Sequence, residues 1–224
     1  MEVCRAILKF MTSLTLHFLR HGETAFSKDG TFCGALDPEL TESGRRMADA
    51  FAEAHAKVEW RGVWASPLTR TRQTAAPLCA ALGIEPTLRD GLKEIQFGAW
   101  EGLTTPEARA QFPDEYACWL AEPAWNAPPG GGERAVDVAE RALAVVREIM
   151  ETVPSGDVLL VSHKATIRLL LCALLGIDLG RYRDRLDAPA GSVARVRIDA
   201  HGPMLLGLGD RSYLPEDLRD RAGT

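Results

Sequence analysis

LHFLRHGETAF, residues 16–26, sets an apolar run directly against Arg20, His21 and Gly22. The run from Leu14 to Leu19 reads as a buried strand. A strand turns successive side chains to opposite faces, so Arg20 and His21 share a pocket only if the chain leaves strand geometry there. Gly22 permits that turn. The same rhythm continues outward: a helical pattern covers 43–57, Gly62–Ala65 reads as a strand, and 67–82 as a second helix. Further on come a long helix from about Glu133 to Glu151, the strand DVLLVS (157–162) and a helix starting near Ala165. Strands alternating with helices predict an α/β fold, a three-layer α/β/α sandwich with a mostly parallel central sheet. SVARVRID (192–199) and PMLLGLGD (203–210) read as two final strands paired around AHG.

Residues 97–132 break the rhythm, with Pro106, Pro113, Pro123, Pro128, Pro129 and a GGG run. The stretch is too irregular for a core element and too rich in Trp and Phe for a disordered linker, so a lid or insertion over one end of the sheet is expected. A single domain over 1–224 is expected, with residues 1–12 as a loose extension and Met11 as an alternative start.

Of the 224 residues 46% are hydrophobic and 25% charged, enough to bury a sizeable core. A net charge of -5 argues against a nucleic-acid or anionic-membrane partner. Five cysteines (Cys4, Cys33, Cys79, Cys118 and Cys172), odd in number and without a C-x-x-C pair, read as reduced thiols. The first residues make a poor signal peptide, and no apolar run reaches the ~20 residues of a membrane span, so a cytoplasmic protein is expected.

In open α/β sheets, ligands bind outside the carboxyl ends of the strands. The first end offers Arg20 and His21, the second ASPLTRTRQTA (65–75), and the third Ser162, His163 and Lys164. Ser66 is a good N-cap and Pro67 a good first helical residue, which would turn backbone N–H groups and a positive helix end to the crevice. Arg70 and Arg72 lie about 200° apart on a helix of ~3.6 residues per turn, so they cannot point at one spot. Singly, each residue reads as ordinary: an arginine at a strand end forms a surface ion pair, and a lone histidine is a satisfied polar group. Together, two histidines and one or two arginines at separate strand ends suit a doubly charged tetrahedral anion, and phosphate is the natural candidate.

LRHGET, LTESGRRMA, SPLTRTRQTA, LKEIQFGAWEG, PPGGGE and SHKATIR follow in this order between about Leu14 and Leu175. The set resembles the histidine phosphatase superfamily, the phosphoglycerate-mutase-like family, in its compact phosphatase branch. That resemblance implies that His21 is the nucleophile and forms a phosphohistidine. It also implies that Arg20, Arg70 and His163 hold the phosphoryl oxygens and that Glu94 donates and accepts the proton. Neutral imidazole is a usable nucleophile near pH 7, and cationic neighbours favour the neutral form. A cationic clamp stabilises the equatorial oxygens, so neither metal nor cofactor is expected. Glu101 is expected to be a structural partner, and Glu23 to hydrogen-bond near the turn.

The sequence departs from the family pattern in places. Ser27 stands where many members have Asn, and Phe26 where Trp is frequent; Ser27 could donate one hydrogen bond to phosphate with shorter reach. Cys33 is carried as a further substrate-binding candidate. Lys164 occupies a position often held by Gly. Its side chain is expected to face solvent; turned inward, it would favour a substrate with a carboxylate or second phosphate.

The expected activity is a metal-independent phosphomonoesterase acting on a small phosphorylated metabolite. One alternative is a cofactor-dependent phosphoglycerate mutase, which resembles an enzyme with a longer, basic insertion. Here Gly102–Gly130 contains one basic residue, Arg109, which favours release to water. Another alternative is a phosphate-ester-binding module without turnover, although a binder would not need Glu94. The compact branch includes α-ribazole-phosphate phosphatases, and SHKATIRLLLCALLGID is similar to some metal-independent phosphoserine phosphatases. No cysteine has an arginine six residues on, and neither a D-x-D-x-T nucleophile nor a P-loop is present. The oligomeric state is left open, a homodimer among the options.

Overall fold

The computed structural model describes residues 13–221. The apolar run forms β1 (Ser13–Arg20), whose last five residues are buried. After it come α1 (Ala25–Asp29), α2 (Glu42–His55), β2 (Trp60–Ala65), α3 (Thr69–Leu82) and the short β3 (Thr87–Leu88). Two short helices, α4 (Thr105–Gln111) and α5 (Pro113–Ala121), precede α6 (Ala135–Thr152), β4 (Ser155–Ser162) and α7 (Lys164–Leu175). The chain then runs through α8 (Tyr182–Arg185), β5 (Val193–Asp199), β6 (Gly202–Asp210) and α9 (Glu216–Arg219).

The six strands form one sheet in the order β3-β2-β4-β1-β5-β6. Strands β3, β2, β4 and β1 run parallel, while β5 and β6 add an antiparallel hairpin at the β1 side, so the sheet is mixed. Alternation along β1 builds the layers. Leu14, Leu16 and Phe18 join one core cluster with Val138, Ala142 and Ile149 of α6, while Leu19 joins Phe51 of α2 and Leu78 of α3 in the other. A sheet covered on both faces needs apolar side chains in both directions, which is why Phe18 and Leu19 of β1 and Val158 to Val161 of β4 are consecutive apolar residues. The turn expected around AHG joins β5 to β6, with Asp199 opposite Gly202.

Residues 97–132 hold more regular structure than the prolines suggest. Pro106 and Pro113 fall in the first turns of α4 and α5, where the missing N–H costs nothing. Trp100, Ala108, Tyr116 and Trp119 close a small core of their own. Among the described residues no helix is long and apolar enough to cross a membrane. The expected extension over 1–12, with Cys4 and Met11, lies outside the described residues.

Gly22 has a role different from the one its sequence position suggests, since its φ is not positive. A Cβ there would stand 2.4 Å from the carbonyl oxygen of Gly44, and a Cβ on Gly44 would stand 2.2 Å from that of Glu23. The two glycines let the first turn of α2 press against the backbone beyond β1. Gly44→Ala is therefore expected to destabilise the fold by about 1–3 kcal/mol, the cost of overpacking. Urea denaturation would show this as a lower midpoint at unchanged slope.

Candidate active site

Three strand ends converge through backbone hydrogen bonds: His21 N donates to Ser162 O at 3.0 Å, and Ser66 N to Val161 O at 3.0 Å. Beyond them opens a cavity of about 180 Å³, whose wall includes Arg20, His21, Arg70, Glu94, Lys164 and Arg168.

His21 is 5% exposed, and its Nδ1 lies 2.8 Å from Gly22 O. A carbonyl only accepts, so Nδ1 carries the proton and Nε2 keeps the lone pair. Burial, then the charges of Arg70 and Arg20, hold the ring well below the ordinary histidine pKa, so it is neutral near pH 7. Gly22 N donates to Thr74 Oγ1 of α3 at 3.0 Å, which fixes the turn carrying the imidazole.

Arg70 is 1% exposed and donates through Nε to His163 Nδ1 (3.2 Å), Nη1 to Leu36 O (2.7 Å) and Nη2 to Gly34 O (3.0 Å). Arg72, on the far side of α3, is exposed, as the helical angle requires. Arg20 donates from Nη1 to Ala188 O at 2.8 Å; burial lowers its pKa to about 10, so it remains a cation at neutral pH.

His163 is fully buried, and both ring nitrogens have protein partners. Because Arg70 Nε donates to Nδ1, Nε2 carries the proton and donates to Ser66 Oγ at 2.9 Å. Its ring centroid lies 5.2 Å from that of His21, but His163 is not among the residues lining the cavity. Burial first, then Arg70, keep it neutral too. The expected capping by Ser66 is corrected here: α3 starts at Thr69, two residues later than a Pro67 start, and its N-cap is Leu68. Asp37 does the capping from outside, accepting from Thr69 N and Thr69 Oγ1 at 2.7 Å each. Ser66 instead supports His163.

Glu94 sits at the start of α7. Its Oε1 accepts from the N–H groups of Ile95 (3.0 Å) and Thr166 (3.2 Å), and its Oε2 from Ala165 N (3.2 Å). It is the only carboxylate lining the cavity among the described residues. Glu101 is structural, its Oε1 accepting from Ala35 N at 2.9 Å and Phe97 N at 3.1 Å. Glu23 accepts from Thr41 Oγ1 at 2.7 Å and Arg221 Nη1 at 3.0 Å.

Ser27 and Cys33 both line the cavity. Ser27 also closes a capping box with Thr24, accepting from Thr24 N at 2.9 Å. Burial pushes the Cys33 thiol up to about 11, so it faces the cavity as a neutral thiol. Lys164 is corrected: its side chain is 26% exposed and belongs to the cavity wall rather than to solvent. Of the aromatic residues in the insertion, Phe97 and Trp119 reach the wall, Trp100 is core, and Trp125 is 62% exposed.

Sequence reasoning missed Arg168, Arg183 and Tyr182, which also line the cavity. Arg168 stands four residues after Lys164, a spacing that places both on one helix face and could have found it. Nothing local marks Arg183, which reaches the wall through its stacking on Trp119, 4.0 Å from the ring centroid.

The histidine phosphatase superfamily (branch 1) model matches residues 16–211. Phosphoserine phosphatase 1 of Hydrogenobacter thermophilus is 31% identical over 167 residues, 75% of this chain and 79% of that protein. Glucosyl-3-phosphoglycerate phosphatase of Mycobacterium tuberculosis is 33% identical over 180 residues, 77% of this chain and 80% of that protein. A structure of the mycobacterial glucosyl-3-phosphoglycerate phosphatase with inorganic phosphate superposes with a TM-score of 0.77 at 28% identity, covering 90% of this chain and 99% of that one. The chain belongs to the histidine phosphatase superfamily, and its activity class is phosphoric monoester hydrolysis.

Nitrogen-15 spectra of the histidine side chains are expected to show His21 as the neutral Nδ1–H tautomer at about pH 6, where an ordinary histidine is mostly protonated. An imidazolium signal for His21 at that pH would contradict the geometry around Gly22.

Proposed function

We propose that the protein releases phosphate from a small phosphorylated metabolite through a phosphohistidine on His21, with Glu94 as general acid and then base. The observation that carries this is the hydrogen bond from His21 Nδ1 to Gly22 O, which leaves Nε2 as the nucleophile beside Arg20, Arg70 and one carboxylate. In the first step the Nε2 lone pair attacks phosphorus, the P–O ester bond breaks, and the departing alkoxide takes the proton of Glu94. In the second, water attacks phosphorus and gives a proton to Glu94, while the P–N bond breaks and its electrons return to Nε2. Arg20 and Arg70 meet the charge on the equatorial oxygens, supplying the stabilisation that metal ions give in other phosphoryl transfers. His163, neutral and held by Ser66, acts as a positioning residue for Arg70.

Release to water rather than return to a second hydroxyl is supported by the insertion, whose single basic residue, Arg109, is exposed and outside the cavity wall. The similarity to a phosphoserine phosphatase and a glucosyl-3-phosphoglycerate phosphatase supports a small metabolite as substrate. A cytoplasmic site of action belongs to the same reading.

Hydrolysis of p-nitrophenyl phosphate should persist in excess chelator. His21→Ala should lower kcat by more than about a thousandfold, the scale seen when a nucleophile is removed. Activity that disappears with chelator and returns only with added metal would overturn the proposal. Glu94→Gln should lower kcat/KM, which reports the alcohol-releasing first step, by about 10²- to 10⁴-fold on an alkyl phosphate, and less on p-nitrophenyl phosphate, whose leaving group needs little protonation. Equal losses in kcat/KM on the two esters would remove Glu94 from the acid role.

A further inference from the structure

The charge on the cavity wall exceeds what a phosphoryl group needs. Arg20, Arg70, Lys164, Arg168 and Arg183 line it, against a single carboxylate, Glu94. Arg20 and Arg70 match a phosphoryl dianion, which leaves three cations on the wall built by α7 and α8. Two of these have other commitments. Arg168 donates through Nε to Leu186 O at 2.5 Å and through Nη2 to Arg183 O at 2.8 Å. Arg183 lies over the Trp119 ring, 4.0 Å from its centroid.

Lys164 differs from both. Among the described residues the acid nearest its Nζ is Asp187, whose Oδ1 is 3.9 Å away, beyond hydrogen-bond range, and whose side chain is 73% exposed. Lys164 is also the first residue of α7, where the positive helix end disfavours a cation. Burial, Arg20 and Arg168 hold its pKa down to about 8, opposed by Asp187 and Glu94. An ammonium group kept in the cavity wall against burial, two guanidinium groups and a helix end is stabilised by an anion arriving from the cavity.

We propose that Lys164 is a specificity-determining residue that receives a second anionic group, carboxylate or phosphate, on the alcohol portion of the substrate. This rests on the phosphomonoesterase reading and deepens it. It also accounts for a lysine beside the pocket where solvent exposure was expected, because its ammonium group and the reacting phosphorus would be bridged by one small molecule.

The test compares kcat/KM for phosphate release from three esters: 3-phosphoglycerate; glycerol 3-phosphate, which carries CH2OH in place of the carboxylate; and 1,3-propanediol bisphosphate. The wild-type protein should favour at least one of the acidic esters over glycerol 3-phosphate by about ten- to a hundredfold, the range of one charge-assisted hydrogen bond. Lys164→Met should collapse that ratio to within about threefold, mainly by raising KM for the acidic ester, whereas Lys164→Arg should keep it. Between about pH 7 and pH 9 the wild-type KM for the acidic ester should rise as the ammonium loses its proton, and the Lys164→Arg value should not follow. Whichever acidic ester loses more in Lys164→Met identifies the second group. A wild-type ratio near one, with His21-dependent release from glycerol 3-phosphate intact, overturns the role of Lys164 alone. Equal losses on all three esters in Lys164→Met do the same. Absence of His21-dependent release from every ester overturns the phosphatase reading together with it.

Discussion

Burying an arginine is costly unless its donors find acceptors, and among the described residues two are buried at the carboxyl end of the parallel strands. Arg70 meets the cost with neutral acceptors, two backbone carbonyls and a histidine nitrogen, while Asp37 stays 3.8 Å away. Its hydrogen bonds are thus satisfied without a contact carboxylate cancelling its charge. The same three bonds tie the chain around Gly34 and Leu36 to α3 and to His163, so the arginine positions the cavity wall as well as its field. Arg20 follows the same rule with the Ala188 carbonyl, just before β5.

Two guanidinium groups in a water-poor space dictate the state of their neighbours. His21 and His163 are both held neutral, chiefly by burial and then by these cations. For His21 this keeps the Nε2 lone pair available at pH values where an exposed imidazole would begin to lose it. The unfolded chain takes up protons on these histidines below about pH 6.5, while the folded chain does not until lower pH. Their contribution to stability is therefore full above that value and falls as the pH drops through it. The pair of buried neutral histidines thus destabilises the folded chain in acid.

The fold was legible because its core obeys simple periods. The apolar runs of β1 and β4, the amphipathic patterns of α2 and α6 and the hairpin around AHG all appear near their expected places. Boundaries failed where a side chain had a better long-range partner. Ser66 looks like a helix cap but is engaged by His163, and Asp37, thirty-two residues before Thr69, caps α3 instead. Prolines in the insertion read as breakers, although Pro106 and Pro113 fall in helix first turns that tolerate them. At the site, residues at strand ends were readable because topology places strand ends together. Arg183 was not, since only the tertiary stacking on Trp119 brings it to the cavity. Lys164 was placed on the wrong side because its immediate sequence cannot reveal that Arg20 and Glu94 share its pocket.

The division of labour within the cavity follows from the same geometry. Strand ends are fixed by the ladder on both sides, so the ends of β1 and β4, with the first turn of α3, hold Arg20, His21, His163 and Arg70 within tight limits. The rest of the wall draws on α7, the short α8 and the aromatic cluster of the insertion, joined by side-chain packing such as Arg183 on Trp119. Packing of this kind can change residue by residue without disturbing the ladder, because the sheet core is built from different clusters than Trp100, Tyr116 and Trp119. Glu94 links the halves: its carboxylate accepts from the first turn of α7, while Ser162 at the end of β4 donates from Oγ to Leu92 O, two residues before it, at 2.8 Å. The Glu94 carboxylate is thus registered to the sheet through the Ser162–Leu92 hydrogen bond and to the first turn of α7 through its own.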